Sequence, residues 1–289
     1  MSNFHESVLL KEAIAGLKIT KDKKYIDATL GGGGHSFEIL RLGGIVLGID
    51  VDKEALEFVE KLKTQNSKLK PENLTLAGGN FRDIDKIALL NNFNKVAGII
   101  FDLGVSSHQI DSPARGFSFQ NEGPLDMRMD EDLGVRALDL IKILTKGELN
   151  EIFTKLGEES RAWEISDAIV RARNVKPIET TTDLAKIAFA TAGQSKRVFQ
   201  ALRIVVNDEL NALTQALPKA VELLEGNGRL CVISFHSLED RIVKRQFLEF
   251  AERKMGKIIT EKPIVPTSAE IERNKRAGSA KLRIFEKLP

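Results

Sequence analysis

Acidic side chains close several strand-like segments of the chain, and a run of four glycines follows the first of them. Asp27 precedes the glycines and His35 in DATLGGGGH, Asp50 ends IVLGID, and Asp102 ends GIIFD. Glycine has no Cβ and the first N–H groups of a helix are unpaired, so a glycine-rich turn between a strand and a helix lets a ligand approach the backbone. These residue types in this order predict a site for a nucleotide-like cofactor.

Two cofactors, NAD and S-adenosylmethionine, fit this pattern. Asp50 lies sixteen residues after Gly34, near the spacing at which a carboxylate binds a ribose diol, and Asp52 is the alternative for that role. The match to GxGxxG is imperfect, because Ser36 stands at the third glycine position. Asp27 favours S-adenosylmethionine, since its carboxylate would repel a pyrophosphate but not an amine or a sulfonium. An NAD-dependent oxidoreductase is the alternative.

Residues after the third and fourth strand-like segments extend the candidate site. Phe81 in AGGNFRD is placed to stack on an adenine, and a core or lid phenylalanine is an equal alternative. Asp102 is placed to face a reacting methyl group or an amine, and a helix N-cap is its alternative. Ser106, Ser107 and Gln109 follow in the loop, where the two serines are candidate substrate contacts.

The segment ISFHSLEDR places His236 between Ser234 and Ser237. A serine hydrolase is disfavoured, because the G-x-S-x-G elbow of the common α/β hydrolases is absent from the segment. We expect His236 either to bind substrate or to cap the helix that follows.

The last part of the chain is basic. Residues 226–289 contain 14 Lys and Arg against 8 Asp and Glu, most densely in VKRQ and RNKRAG. We predict that Lys244 and Arg245 contact a nucleic-acid phosphate backbone, and an ordinary solvated helix face is the alternative.

The elements that must position these residues alternate along the first hundred residues. Strand-like KKYIDAT, GGIVLGIDV, NLTLAGG and VAGIIFDL alternate with helix-like SFEILRL, KEALEFVEKLK and DIDKIALL. This pattern predicts an α/β fold with a parallel sheet, which binds ligands at the carboxyl ends of its strands. The next clear strand, GRLCVISF, comes far later than one crossover helix requires. We therefore predict a first domain part over 1–110, an inserted helical domain over 111–195, and a second domain part over 196–289.

The insertion and the tail have their own patterns. Four helical segments are predicted in VRALDLIKILT, KGELNEIFTKLG, RAWEISDAIVRARN and TTDLAKIAFATA, with boundaries at Lys146-Gly147 and at Thr181 or Thr182. A long helical stretch from Ser195 is expected to be interrupted at Pro218 and to end in the turn GNGR. Two strands are expected in KIITEKPIVP and AKLRIFEKL.

Composition bounds the class of protein. The 289 residues are 42% hydrophobic, which is typical of a globular protein. Because 43 Lys and Arg nearly balance 41 Asp and Glu, a polyanion would have to bind a local basic patch and not the protein's overall charge. The single Cys231 excludes an internal disulfide, and His5 and His108 lack metal-ligand spacing, so no metal is expected. Signal-peptide and membrane-span patterns are absent, so we expect a cytoplasmic protein without membrane contact.

Seven blocks spread over essentially the whole chain resemble the bacterial MraW/RsmH family. They are YIDATLGGGGHS, GIDVD, IFDLGVSSHQID, ARGFSF, GPLDMRM, VFQALRIVVNDEL and ISFHSLEDRIVK. The resemblance implies an S-adenosylmethionine-dependent methyltransferase acting on the N4 amine of the decoding-centre cytosine 1402 of 16S ribosomal RNA. It implies 16S ribosomal RNA within the small ribosomal subunit as partner. The oligomeric state is left open, with a homodimer as one alternative. A non-catalytic RNA-binding factor of the same fold is a further alternative.

The resemblance also implies a class I, Rossmann-like methyltransferase sheet interrupted by a helical substrate-recognition domain. Residue by residue, it implies cofactor contacts at Gly33, Gly34, His35, Asp50, Phe81, Asp102 and Gln109, with Asp50 on the ribose. The chain departs from the commoner family form at Gly32, where a larger residue is usual, and at His108, where proline is frequent. Both departures flank the pocket and put the rigidity of its loops in doubt.

The expected chemistry is difficult, because the lone pair of an exocyclic cytosine amine is delocalised into the ring. Many amino-methyltransferases carry (Asp/Asn)-Pro-Pro-aromatic after the fourth strand, whereas Asp102-Leu-Gly-Val here keeps the acid and lacks the prolines. We predict that Asp102 and loop carbonyls position the flipped amine for in-line attack, with proximity supplying most of the acceleration.

Overall fold

The computed structural model describes residues 7–65 and 71–289. His5 lies outside these residues. The chain divides into two compact units, one made of residues 1–104 and 210–289 and the other of residues 105–209. We call the first the sheet unit and the second the helical unit.

The strands of the described chain form one sheet in the order β3-β2-β1-β4-β5-β7-β6. Their bounds are β1 Lys24–Asp27, β2 Ile45–Asp50, β3 Leu74–Gly78, β4 Val96–Asp102, β5 Leu224–Ser234, β6 Gly256–Ile258 and β7 Lys281–Lys287. The pairs β1–β2, β2–β3, β1–β4 and β4–β5 are parallel, and β7 is antiparallel to both β5 and β6. The predicted Rossmann-like α/β sheet is confirmed.

The helices of the described chain are α1 Leu10–Leu17, α2 Gly34–Arg41, α3 Lys53–Gln65, α4 Ile84–Leu90, α5 Ser107–Asp111, α6 Ala137–Ile143, α7 Lys146–Lys155, α8 Ala162–Val175, α9 Thr181–Ala192, α10 Lys196–Asn207, α11 Glu209–Leu223, α12 Ser237–Glu252 and α13 Ser268–Arg273. Within the described residues, no helix is long and apolar enough to span a membrane.

The central strands are buried on both faces, as a parallel sheet covered by helices requires. Successive residues of β4 alternate between two apolar cores, with Ile99 and Phe101 in one and Ile100 in the other. The first core includes residues of α4, α11 and α12, and the second includes residues of α1, α2 and α3. This packing holds the carboxyl ends of β1, β2 and β4 side by side at one edge of the sheet.

The helical unit is built on its own apolar core. Phe153, Ile165, Leu184 and Leu202 are among its buried residues, and they come from α7, α8, α9 and α10 in turn. The unit extends beyond the predicted limits of 111–195, because α10 contributes buried side chains to this core rather than to the core of the sheet unit.

Two helices of this unit begin at their predicted boundaries, α7 at Lys146 and α9 at Thr181. Thr145 caps α7 and Thr180 caps α9, each accepting a hydrogen bond from the backbone N–H three residues later. Both also form capping boxes with an acidic residue at that position, which the sequence contains as Glu148 and Asp183.

Three expectations for the later part of the chain are wrong. The helical stretch breaks at Asp208, which has a left-handed backbone with φ of 50°, while Pro218 lies inside α11 among buried neighbours whose packing outweighs one lost hydrogen bond. The segment GNGR lies within β5, where the register with β4 shifts, and does not precede it. Of KIITEKPIVP, only the start belongs to β6, and Ile264 adds an isolated bridge to Leu282.

Candidate functional site

The glycine run forms the turn between β1 and α2. Gly31 and Gly33 have positive φ values of 49° and 78°, whereas Gly32 is not among the positive-φ glycines. A Cβ on Gly33 would lie 2.9 Å from Phe37 Cε2 and 3.1 Å from Val59 Cγ2. The turn therefore needs glycine at 31 and 33 for its backbone, and it leads into the start of α2, where the Ser7 side chain packs against Gly34.

Asp50 fastens this turn to the end of β2. Its Oδ2 accepts a hydrogen bond from the Gly31 amide at 2.7 Å, and its Oδ1 accepts one from the Asp52 amide at 2.9 Å. Burial raises the pKa of Asp50 to about 6, and the neighbouring Asp52 and Asp27 carboxyls add to the rise. The two hydrogen bonds lower the pKa but do not outweigh burial. Asp50 is therefore ionised at neutral pH but close enough to titration to be sensitive to mild acid.

Asp52, the alternative ribose partner, has a structural use. It is buried, and its Oδ1 accepts a hydrogen bond of 3.0 Å from the Glu54 amide in the first turn of α3. Asp50, with its carboxylate on the glycine turn, is the better placed of the two to meet a ligand bound there.

Asp27 ends β1 just before the turn and is only 1% exposed. Its Oδ2 accepts a hydrogen bond from Ser36 Oγ at 2.7 Å, and Thr29 donates its amide to Oδ1 at 3.4 Å. Burial raises the pKa of this carboxyl, while His35 and Ser36 act in the opposite direction. Because Asp27 is directed into the protein, its influence on a ligand is electrostatic and not a direct contact.

His35 and Asp102 meet at the carboxyl end of the sheet. His35 Nδ1 lies 3.7 Å from Asp102 Oδ2, and Thr29 Oγ1 accepts a hydrogen bond of 2.6 Å from the Asp102 amide. His35 is 4% exposed, and its Nε2 has no hydrogen-bond partner among the described residues. A buried polar nitrogen without a partner costs about 1–3 kcal/mol, so this atom fits a site that a ligand or water completes.

Phe81 follows β3 and is half-buried. Its ring packs edge-on against Phe101, with ring centroids 5.6 Å apart, and the loop is fixed by Asn80 Oδ1, which accepts a hydrogen bond from the Arg82 amide. Lys219 Nζ donates to the Arg82 carbonyl at 2.6 Å from α11. Phe81 thus combines a core contact with an exposed part, so both interpretations from the sequence describe part of its environment.

The candidates Ser106, Ser107 and Gln109 lie in the helical unit at the start of α5. Ser106 Oγ accepts a hydrogen bond from the Gln109 amide, and Gln109 Oε1 accepts one from the Ser106 amide at 2.9 Å. Ser107 is the first residue of the helix. Ser106 and Gln109 therefore have a capping function in this structure, which the sequence predictions did not include.

His236 caps α12, which was one of its two expected roles. Its Nδ1 accepts a hydrogen bond of 3.4 Å from the Glu239 amide, and Glu239 Oε2 accepts bonds from the amides of Phe235 and His236. Ser234 Oγ donates to the Lys281 carbonyl at 3.4 Å. These bonds give His236 Nδ1 and the Ser234 hydroxyl structural partners.

Much of the C-terminal positive charge is neutralised within the sheet unit. Arg283 and Lys281 both pair with Asp240, at 2.6 and 3.2 Å. Arg229 and Lys257 pair with Glu286, each at 2.8 Å. Lys244 and Arg245 are exposed on α12, one turn after Asp240. They remain the candidates for a phosphate contact.

Two residues of this arrangement were not predicted from the sequence. Thr29 holds the Asp102 amide and Ser36 holds the Asp27 carboxyl. The position of Ser36, where GxGxxG has its third glycine, was noticed only as a departure from that motif. The sequence signal for this contact is a serine nine residues after the acidic residue that ends β1, because the glycine turn brings the Ser36 hydroxyl back to the Asp27 carboxyl.

The chain is similar along its whole length to known proteins. The model of the MraW methylase family matches residues 2–288. The Ribosomal RNA small subunit methyltransferase H of Halothermothrix orenii is 44% identical, with 98% of each chain covered. The protein of the same name from Thermomicrobium roseum is also 44% identical, with 100% of this chain and 95% of that protein covered.

Among solved structures, an rRNA methylase from Streptococcus thermophilus aligns over 98% of both chains with 12% identity and a TM-score of 0.48.

Proposed function

The chain belongs to the MraW methylase family, and from that premise we propose that it methylates the N4 amine of cytosine 1402 in 16S ribosomal RNA. It is a ribosomal RNA methyltransferase, and its methyl donor is S-adenosylmethionine. The position and the atom within the RNA are the finer part of the proposal. The observation that supports an amine as the acceptor is Asp102, a carboxylate at the end of β4 that is held by Thr29 and lies beside buried His35, and the position follows from the resemblance to the family.

The residues at the edge of the sheet fit the cofactor by their chemistry. The glycine turn lets a ligand come close to the backbone at the start of α2. Asp50 offers a carboxylate for a ribose diol, and the unpartnered Nε2 of buried His35 accepts or donates one further hydrogen bond. Phe81, half-buried after β3, is the candidate to stack on an adenine. When bound, S-adenosylmethionine supplies an electrophilic methyl group on a sulfonium.

Asp102 is the residue assigned to the acceptor. As the N4 nitrogen bonds to the methyl carbon, the bond from that carbon to sulfur breaks and the amine nitrogen must lose one proton. A carboxylate that accepts a hydrogen bond from the amine orients its lone pair and receives this proton. His35, at 3.7 Å from Asp102 Oδ2, limits the positions that this carboxylate can take.

The RNA meets the exposed cations of α12 in this proposal. Lys244 and Arg245 lie midway along α12, the helix that begins just after β5, and the end of β5 pairs with the end of β4 that carries Asp102. Contacts from these side chains to phosphates position the RNA without reading its sequence. The protein would act in the cytoplasm, on the small ribosomal subunit.

The experiment is a methyl-transfer assay on unmodified small subunits and on naked 16S RNA. Labelled S-adenosylmethionine is the donor, and the RNA is digested to nucleosides after the reaction. Label in N4-methylcytidine, lost when cytosine 1402 is replaced by uracil, is the expected result. Label in another nucleoside or at another position would refute the assignment. Calorimetric titration with S-adenosylmethionine and NADH in parallel separates the methyltransferase from the oxidoreductase alternative.

A further inference from the structure

A group of lysines lies at the edge of the sheet opposite the acidic strand ends. Lys23 immediately precedes β1, Lys24 begins it, Lys95 immediately precedes β4, and Lys287 ends β7, which runs antiparallel to β5. These four residues, the amino-edge lysines, do not take part in the site described above.

Two of these lysines converge on a single oxygen. Lys95 Nζ and Lys287 Nζ each donate a hydrogen bond of 3.1 Å to the Glu222 carbonyl, so the two ammonium nitrogens are separated by at most twice that distance. Lys287 Nζ also donates to the Leu224 carbonyl at 2.8 Å. Burial lowers the pKa of Lys287, and the charge of Lys95 lowers it further. Two like charges are thus held together at the surface.

Capping of α11 accounts for only part of this charge. Glu222 belongs to the last turn of α11, and a helix carboxyl end carries about half a negative charge, which one lysine would already exceed. The Glu225 carboxylate is engaged by Lys23 at 3.0 Å. Lys24 Nζ donates to the Asn92 carbonyl at 2.5 Å. Four lysines against the carboxylates of Glu222 and Glu225 leave positive charge in excess.

The converging ammonium groups retain donors for an anion. An ammonium has three protons. The hydrogen bonds above use one proton of Lys95 and two of Lys287. Lys95 is exposed and Lys287 is half-buried, so the remaining protons can be reached from solvent. Two ammonium groups at this separation match the oxygens of one phosphate.

The distribution of charge between the units agrees with an RNA ligand. Residues 105–209 contain 14 Lys and Arg against 17 Asp and Glu, whereas the rest of the chain contains 29 against 24. A phosphate backbone is therefore attracted to the sheet unit and repelled on average by the helical unit.

We infer that the amino-edge lysines bind a backbone phosphate of ribosomal RNA as a second anchor, remote from the methylated base. The seven residues of β4 separate this anchor from Asp102, and at about 3.3 Å per residue they span about 20 Å. The phosphate is therefore several nucleotides away along the strand or belongs to another segment of the folded RNA. The inference rests on the proposed function only in naming ribosomal RNA as the ligand.

The test compares two double variants that remove the same charge. K95Q/K287Q removes the converging pair, and K61Q/K86Q removes two exposed lysines elsewhere in the sheet unit. Affinity for unmodified small subunits is measured by filter binding at several salt concentrations, without S-adenosylmethionine. We expect K95Q/K287Q to bind about tenfold more weakly and to lower the salt slope by about 1, as the loss of one phosphate contact predicts. K61Q/K86Q should bind like the wild type.

Equal binding by the two double variants, or no binding of RNA by the wild type, would overturn the anchor. Lys287 also bonds two carbonyls, so thermal melting checks the fold, and the single variant K95Q supplies the same comparison at an exposed residue. K95R/K287R, which keeps both charges, should restore most of the affinity. Methyl transfer is assayed separately, so normal transfer with unaltered binding rejects the anchor alone. If the wild type shows no methyl transfer while K95Q/K287Q binds RNA more weakly than the wild type, the proposed function is rejected and the anchor is kept.

Discussion

The Gly31 amide donates a hydrogen bond of 2.7 Å to Asp50 Oδ2, which joins the glycine turn after β1 to the carboxylate at the end of β2. The ribose-binding candidate is thus also a support of the turn that it faces. Protonation of Asp50 would weaken this support and remove the acceptor for a ribose diol in the same step. The two halves of the cofactor site are therefore coupled through one carboxyl group.

Cofactor binding should depend on pH through Asp50. Because burial raises the pKa of Asp50 to about 6, the binding-competent carboxylate is present above pH 6 and is lost as the pH falls. We expect the Kd for S-adenosylhomocysteine to be about tenfold higher at pH 5 than at pH 7. Asp50→Asn should bind weakly at both values, by about 10- to 100-fold. Calorimetry at each pH measures this, and a constant wild-type Kd would contradict it.

Gly32 and Gly33 should differ sharply in their tolerance of a methyl group. Gly33→Ala places a Cβ against Phe37 at a φ of 78°, and we expect a loss of about 1–2 kcal/mol in the free energy of unfolding, together with weaker cofactor binding. Gly32→Ala has no positive φ to oppose it and should behave like the wild type. Thermal melting and calorimetry measure both effects. Equal destabilisation by the two variants would show that φ is not what selects glycine here.

The positions of the acidic site residues could be predicted because a parallel sheet imposes them. Asp27, Asp50 and Asp102 each end a buried apolar run, and parallel strands bring such ends to one edge. Periodicity of apolar residues therefore located the edge of the sheet without any knowledge of side-chain contacts. The roles of individual carboxyls did not follow, since Asp27 is turned inward by Ser36.

Other features depend on whether local backbone preference or tertiary packing contributes more free energy, which the sequence pattern alone does not show. The left-handed residue Asp208 ends α10, while Pro218 is accommodated inside α11 because its neighbours are buried. The limits of the helical unit depend on which core receives the apolar face of α10. A pattern shows that such a face exists, but it does not show which partner covers it.

Asp102 should affect methyl transfer more than cofactor binding. Asp102→Asn keeps the backbone bond to Thr29 but removes the proton acceptor. We expect single-turnover methyl transfer to fall by about 100-fold, with the Kd for S-adenosylhomocysteine changed less than about fivefold, a threshold near 1 kcal/mol. Thr29→Val, which removes the acceptor of the Asp102 amide, tests positioning and should cause a smaller loss. Full transfer by Asp102→Asn with unaltered cofactor affinity would reject the assigned role.

Lys244 and Arg245 should contribute to RNA affinity and not to the chemical step. Replacement of both by glutamine removes two exposed cations from α12, and we expect a higher KM for small subunits with kcat unchanged. The slope of log affinity against log salt should fall by about 1.4–1.8 if both contact phosphates. K61Q/K86Q again supplies the charge-matched control. An unchanged slope would place these side chains outside the RNA interface.

Asp240 should stabilise the fold in a manner that depends on pH. Burial opposes its ionisation, but hydrogen bonds from Arg283 and Lys281 outweigh that effect and hold the pKa of Asp240 below its usual value. The stabilisation is therefore present at neutral pH and is lost as the pH falls through this lowered pKa. We expect Asp240→Asn to reduce the free energy of unfolding by about 1–3 kcal/mol at pH 7, and by much less at pH 2. Urea unfolding at both values measures the difference. A deficit of the same size at pH 2 would assign the effect to packing instead of charge.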